Sequence, residues 1–187
     1  MRLVLVMPTG VRVGYDDYFS ASPLGIETLA AHARAHADLS LADMRGKGHD
    51  IEDHAEQLLA LRPDVLGISV NSAPHTKYSL ALARRLKQRR SDLLILAGGQ
   101  QATFLTEEML APGHIDAVVR GEGEFALCEI LAAGDYRGVA GVSWHDGREV
   151  RHEPDRPLIQ EMDTILPPAR DLLPDRSRYR MGAYRVE

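Results

Sequence analysis

Two short apolar runs, Leu93-Leu94-Ile95-Leu96-Ala97 and Ile115-Asp116-Ala117-Val118-Val119, each stop at glycine. The first ends in Gly98-Gly99-Gln100-Gln101, the second in Arg120-Gly121-Glu122-Gly123-Glu124. A short apolar run with little alternation predicts a strand buried on both faces, as in a parallel sheet covered by helices. Glycine at the carboxyl end of such a strand lets a ligand approach the backbone closely, and in open parallel sheets the ligand crevice lies at that end. Two glycine turns side by side on one edge therefore predict a single large ligand.

The rest of the chain supplies the partners of these strands. Leu3-Val4-Leu5-Val6-Met7 predicts the first strand, which breaks at Pro8-Thr9-Gly10. The loop that follows, 11–22, carries Gly14, Tyr15, Asp16, Asp17, Tyr18 and Phe19. It exceeds the about 2–6 residues usual between strand and helix, which suggests a task. Ser22-Pro23 predicts a helix start by the cap-plus-proline rule, with Ile26, Leu29, Ala30 and Ala33 inward. Leu39-Ser40-Leu41-Ala42-Asp43 is a weaker strand suited to a sheet edge, and Asp50 caps the next helix. Val65-Leu66-Gly67-Ile68-Ser69-Val70 is the third strand, followed by a polar loop, 71–76. Tyr78, Leu82 and Leu86 then recur at helical spacing. Strands alternating with helices predict an α/β fold: a flavodoxin-like or Rossmann-like five-stranded parallel sheet in the order 2-1-3-4-5. This unit takes residues 1–138. Residues 139–187 read as a β-hairpin around His145-Asp146-Gly147 and a Pro-rich extended connector.

Composition removes several classes. With 22 basic against 27 acidic residues the net charge is −5, which argues against nucleic acid as a partner. The cluster Arg84, Arg85, Lys87, Arg89 and Arg90 closes a predicted helix, where cations suit the dipole. No stretch approaches the ~20 apolar residues of a membrane helix. Met1-Arg2 runs straight into a strand without a signal-peptide pattern, so the expectation is a cytoplasmic protein. The single Cys128 allows no internal disulfide and no Cys-rich metal site.

The candidate binding edge comprises Thr9 and Gly10; Ser69, Val70, Asn71, Ser72 and His75; Gly98, Gly99, Gln100 and Gln101; and Gly121, Glu122, Gly123 and Glu124. Neither Gly-x-x-x-x-Gly-Lys-Ser/Thr nor Gly-x-Gly-x-x-Gly follows the first strand, so nucleotide signatures are missing. Small uncharged hydrogen-bonders there suit a bulky, mostly neutral ligand. A response-regulator receiver needs acids after the first strand, an Asp after the third and a Lys after the fifth. Those positions read Met7-Pro8-Thr9, Ser69-Val70-Asn71 and Arg120-Gly121-Glu122, and that reading fails. Glu122 and Glu124 read as helix-start carboxylates favoured by the dipole. Of the histidines, His32, His36 and His54 read as surface residues of helices, His75 as a loop group and His49 as part of a helix cap. Trp144 reads as hairpin packing. No nucleophile–base pair is identifiable.

The order of five segments resembles the cobalamin-binding domain that begins many B12-dependent radical S-adenosylmethionine enzymes. They are Ser22-Pro23-Leu24-Gly25-Ile26; Pro63-Asp64-Val65-Leu66-Gly67-Ile68-Ser69; Ala97-Gly98-Gly99-Gln100-Gln101-Ala102-Thr103; Asp116-Ala117-Val118-Val119-Arg120-Gly121-Glu122-Gly123-Glu124; and Leu166-Pro167-Pro168-Ala169-Arg170-Asp171-Leu172-Leu173-Pro174. The family usually has Pro-His where this chain has Gln100-Gln101.

The resemblance implies cobalamin across the carboxyl edge. Its dimethylbenzimidazole tail would lie between the loops after strands three to five. Ser69, Asn71 and Ser72 would stand on one side, Gly98 and Gly99 near ribose and phosphate, and Gly121 to Glu124 on the other. The corrin would sit over the loop 9–22. Better-known cobalamin domains carry Asp-x-His-x-x-Gly after the first strand, whose histidine binds cobalt. No histidine occurs in 9–22, and the similar Asp43-Met44-Arg45-Gly46-Lys47-Gly48 has Arg45 in its place. The resemblance thus implies base-off cobalamin without a histidine lower ligand, its lower face towards water or residues 15–19, a state favouring Co(I). The Cys-x-x-x-Cys-x-x-Cys of a [4Fe-4S] cluster that binds S-adenosylmethionine is absent here, and the expectation is a non-catalytic domain excised before a radical domain. Alternatives from other classes are a stand-alone B12 carrier or sensor acting through a partner, and a flavodoxin-like domain binding another nucleotide.

Overall fold

Leu3, Val4, Leu5 and Val6 are each at most 2% exposed, so the first strand is covered on both faces. A computed structural model describes residues 1–9, 19–45, 48, 50–173, 175–181, 184 and 185. Gly10, the segment carrying Asp16 and Asp17, and His49 lie outside the described residues.

The elements follow in order: β1 (Arg2–Met7), β2 (Phe19–Ser20), α1 (Leu24–Ala33), β3 (Asp38–Asp43), α2 (Ile51–Ala60), β4 (Val65–Ser69), α3 (Ala73–Arg89) and β5 (Leu94–Gly98). Then come α4 (Gln100–Phe104), α5 (Thr106–Leu110), β6 (Ala117–Val119), α6 (Glu124–Ala133), β7 (Val142–His145), β8 (Val150–His152), β9 (Arg180–Met181) and β10 (Tyr184–Arg185). β3-β1-β4-β5-β6 are parallel neighbours, the expected order for the five repeating strands. The sheet does not stop there. The hairpin β7–β8 continues it antiparallel from β6, giving seven strands instead of five, because β6 would otherwise leave its backbone edge unpaired. No helix among the described residues is long and apolar enough to cross a membrane.

Strand periodicity divides the core in two. Val4, Val6, Leu66, Ile68, Ile95 and Val118 join Leu58, Tyr78, Leu82 and Leu86 of α2 and α3. Leu3, Leu5, Leu96, Ala117 and Val119 join Ile26, Ala30, Leu127 and Ile130 of α1 and α6. Asp50 caps α2 as expected, accepting from the amides of Glu52 and Asp53. The cap expected of Ser22 does not form: Pro23 holds the N-cap position, and Ser22 Oγ donates to the Glu27 carboxylate at 3.3 Å. Arg85 and Arg89 both pair with Glu52, so those cations serve the α2–α3 surface.

The expected extended connector is docked. Ala169, Leu173 and Tyr179 are buried against the α1 side, and β9 pairs with β2 and β10 in a small second sheet. Tyr179 OH donates to Asp43 Oδ2 at 3.0 Å, and Arg45 reaches the same carboxylate at 2.7 Å and the Ala21 carbonyl at 2.9 Å. Burial pushes the Asp43 carboxyl up, but the Arg45 and Tyr179 hydrogen bonds outweigh it and hold it below the usual range.

Candidate functional site

Glycine at the strand ends leaves room on one face only. On β4, Leu66 and Ile68 point to the α2–α3 face, whereas Gly67 turns to the α1–α6 face, where an added Cβ would lie 2.8 Å from Leu5 Cδ2. β5 ends in Gly98 on that same side, and the first turn of α1 carries Gly25, whose added Cβ would meet nothing within 4 Å. The result is a cleft of about 280 Å³ between the carboxyl ends of β4, β5 and β6 and the helices α1 and α6. Its walls are mostly apolar, among them Leu5, Ile26, Leu29, Leu96, Val119 and Leu127.

Hydrogen bonds fix the loops around it. Val70 N donates to Gly98 O at 2.7 Å, and the Val70 carbonyl accepts the amides of Gln101 and Ala102 at 3.0 and 3.3 Å. Gly99, with φ +97°, has no side chain to cap α4, and a Cβ there would fall 2.5 Å from Asn71 Oδ1. Asn71 supplies the cap instead, accepting from Gln100 N at 3.3 Å while its Nδ2 donates to Ser69 Oγ at 2.9 Å. Gly121, at φ +70°, donates its amide to Thr103 Oγ1 at 3.0 Å.

Of the residues expected at the binding edge, the cleft brings together Ser69, Asn71, Gly98, Gly99, Gly121, Glu122, Gly123 and Glu124. Val70, Ser72, His75, Gln100 and Gln101 do not line it, and Thr9 is buried at the end of β1. The cause is that helices start sooner than the polar loops suggested. His75 lies in the first turn of α3, where its Nδ1 accepts from Asn71 N at 3.5 Å, and Gln100 and Gln101 open α4. Gly25, Gly67, Ile26 and Leu29 belong to the cleft and were not among the expected residues; a glycine inside a strand pattern was the available signal.

The carboxylates follow the helix-start reading in part: Glu124 lies in the first turn of α6, but neither side chain caps it. Gly123, not a carboxylate, holds the N-cap position of α6. Glu122 Oε2 accepts the Ile159 amide at 2.6 Å, and Glu124 Oε2 is buried with no partner. His54, expected on the surface, is fully buried with its Nδ1 against Tyr78 OH. His32 is half-buried edge-on to Phe125, and its Nε2 accepts from Leu166 N at 3.0 Å. Burial pushes the Cys128 thiol up. Among the described residues no three of His, Cys, Asp or Glu converge as a metal set.

A parallel sheet with an apolar cleft at its carboxyl edge, between loops kept thin by glycine, defines a Rossmann-like binding domain for a large organic ligand. The B12 binding domain profile matches residues 14–131, and the chain belongs to that family. An "uncharacterized methyltransferase" of Pyrococcus horikoshii is 34% identical over 181 residues, 93% of this chain and 39% of that protein. The Hopanoid C-3 methylase of Methylococcus capsulatus is 32% identical over 172 residues, 88% of this chain and 32% of that protein. The fold is shared with the radical S-adenosylmethionine methyltransferase TsrM from Kitasatospora setae, solved with cobalamin and a [4Fe-4S] cluster bound. There the TM-score is 0.69 at 18% identity, covering 89% of this chain and 31% of that one. The chain thus spans less than half the length of these relatives.

Proposed function

We propose that the cleft holds the nucleotide tail of cobalamin and that this domain serves a B12-dependent radical S-adenosylmethionine enzyme of methyltransferase type. The observation that carries the reading is the one-sided cleft at the carboxyl edge of the sheet, on the face where Gly25, Gly67 and Gly98 replace side chains. The residues fit such a group. Leu5, Ile26, Leu29, Leu96, Val119 and Leu127 offer apolar walls to a flat heterocycle, and burying it there is favourable at roughly 25 cal/mol per Å². The unpartnered Glu124 Oε2 provides an acceptor for a hydroxyl or amide donor. Ser69 and the backbone of Gly98, Gly99 and Gly121 provide small polar contacts.

When bound, cobalamin supplies a cobalt centre that accepts and donates methyl groups. The protein's part is to bind the tail, orient the ring over the sheet edge and keep water from the cleft. A tail held in the cleft would stand away from cobalt, as in the base-off form. Among the described residues no histidine lines the cleft, the sequence of 9–22 contains none, and Arg45 is committed to Asp43 and Ala21. The lower cobalt face would then take no histidine from these segments. The [4Fe-4S] cluster and S-adenosylmethionine belong to a further domain in cis, in keeping with the greater length of the relatives.

The test is to load purified protein with hydroxocobalamin, desalt it and record the visible spectrum. A retained corrin spectrum of base-off shape is expected. Loss of all corrin on desalting overturns the reading, and a base-on spectrum overturns its lower-face part.

A further inference from the structure

The β6 side of the cleft is held by more than its own helix, whose Leu127 N donates to Gly123 O at 2.9 Å. The loop 120–123 is pinned from outside by the segment that follows the hairpin. Arg120 Nη2 donates to Glu153 O at 2.6 Å and pairs with Asp155 at 2.9 Å, and Glu122 Oε2 accepts from Ile159 N at 2.6 Å. The same segment is riveted to the sheet, Gly141 N donating to Pro154 O at 2.8 Å and Arg156 reaching Ala140 O at 3.2 Å. Beyond Ile159 it crosses to the opposite wall. Leu166 N donates to His32 of α1 at 3.0 Å, and Ala169 N donates to Glu27 O at 3.0 Å. Between these anchors residues 160–164 are exposed and turn on their own bonds, such as Thr164 N to Glu161 O at 2.9 Å.

We infer that Glu122 is a positioning residue whose bond to the Ile159 amide couples occupancy of the cleft to the seating of segment 153–166. This rests on the cobalamin reading. A carboxylate on a cleft-lining loop that spends its oxygen on a backbone amide 37 residues away links two sites. Coupling of that kind is reciprocal: what seats the segment tightens the cofactor, and the cofactor seats the segment.

The test combines hydrogen exchange of the peptide covering 157–166 with the rate of corrin release, using wild-type protein and four variants. In wild type, hydroxocobalamin should slow exchange in that peptide. Glu122→Ala should speed exchange and release cobalamin about three- to tenfold faster, the scale of one hydrogen bond. Glu122→Gln keeps an oxygen acceptor and should restore both. Ile159→Pro removes the donor without changing a cleft-lining residue and should speed release as Glu122→Ala does, and the double variant should add little to either. Fast release from Glu122→Ala with wild-type release from Ile159→Pro would make Glu122 a direct ligand contact and overturn the coupling. Exchange indifferent to retained cobalamin overturns it as well, whether or not the proline variant folds. A wild-type protein that keeps no corrin sinks the cobalamin reading first, and the coupling with it.

Discussion

The two faces of the same sheet are built to opposite ends. Towards α2 and α3, β4 presents Leu66 and Ile68 and β5 presents Ile95 and Ala97, all at most 2% exposed, closed over by Tyr78, Leu82 and Leu86. Towards α1 and α6 the same strands present Gly67 and Gly98, and the covering helix has Gly25 in its first turn. The buried polar groups differ in charge: the filled face holds the neutral pair His54 and Tyr78 and the Ser79 hydroxyl, whereas the other side holds the carboxylates Glu27 and Glu124, each with one unpartnered oxygen. One face supplies stability, and the other gives up packing for room. Interiors are close-packed, so a void of about 280 Å³ beside a filled core is a feature to be explained by what enters it.

The largest expected effect breaks the filled face. Leu66→Ala should cost about 2–5 kcal/mol in urea or thermal unfolding, because a well-packed core relaxes little around the lost side chain. Leu96→Ala removes the same atoms from a wall of the cleft. Its cost should be smaller, since a group that borders a void has fewer neighbours to lose. Equal costs for the two would erase the distinction between the faces.

Filling the open face should separate binding from folding. Gly25 has open space around an added Cβ, and its φ is not in the left-handed region. Gly25→Leu should therefore leave the melting temperature unchanged or raise it, as glycine is the poorer helix former by about 1 kcal/mol. The new side chain competes with the tail for the same volume. Overpacking of about 1–3 kcal/mol corresponds to a roughly five- to 150-fold weaker grip on cobalamin, read as corrin lost on desalting. Wild-type retention by this variant would place the ligand elsewhere.

The strands and their order were legible because β1, β4, β5 and β6 are short, almost wholly buried apolar runs, two of them running into glycine turns, while the weaker, partly exposed β3 suits an edge. The division between faces was harder. Period two places Gly67 opposite Leu66, but only the helices decide which side is covered tightly. Helix starts misled more. Pro74 and the paired glutamines look like loop residues, yet α3 and α4 begin at Ala73 and Gln100, and this turns His75 and Gln101 away from the cleft. Glu122 sits where a dipole-favouring carboxylate belongs, but its partner is Ile159, a pairing that no local pattern encodes. His54 falls at a helical position that only the tertiary contact with Tyr78 buries. The connector after Pro154 showed little periodicity because single residues, such as Ala169, Leu173 and Tyr179, anchor it.

The smallest effect concerns Glu27, fully buried on α1 with one oxygen unpartnered and Arg170 only 3.9 Å from the other. Burial pushes its carboxyl above the ordinary 4.5, and neither the Ser22 hydroxyl nor Arg170 reverses that. Below pH 4.5 the folded and unfolded chains both hold this proton, so it costs nothing. As pH rises past that value the unfolded chain ionises freely while the folded one resists, and stability falls until the folded pKa is passed. Glu27→Gln removes the penalty. Its melting temperature should exceed wild type at pH 7 by up to about 4 °C, the shift that 1 kcal/mol brings in a domain of this size, and match it near pH 4. A fall at pH 7 would mean that the attraction to Arg170 outweighs burial. The buried carboxylate on α1 would then stabilise the fold, and the contrast between the faces would rest on the room left for a ligand.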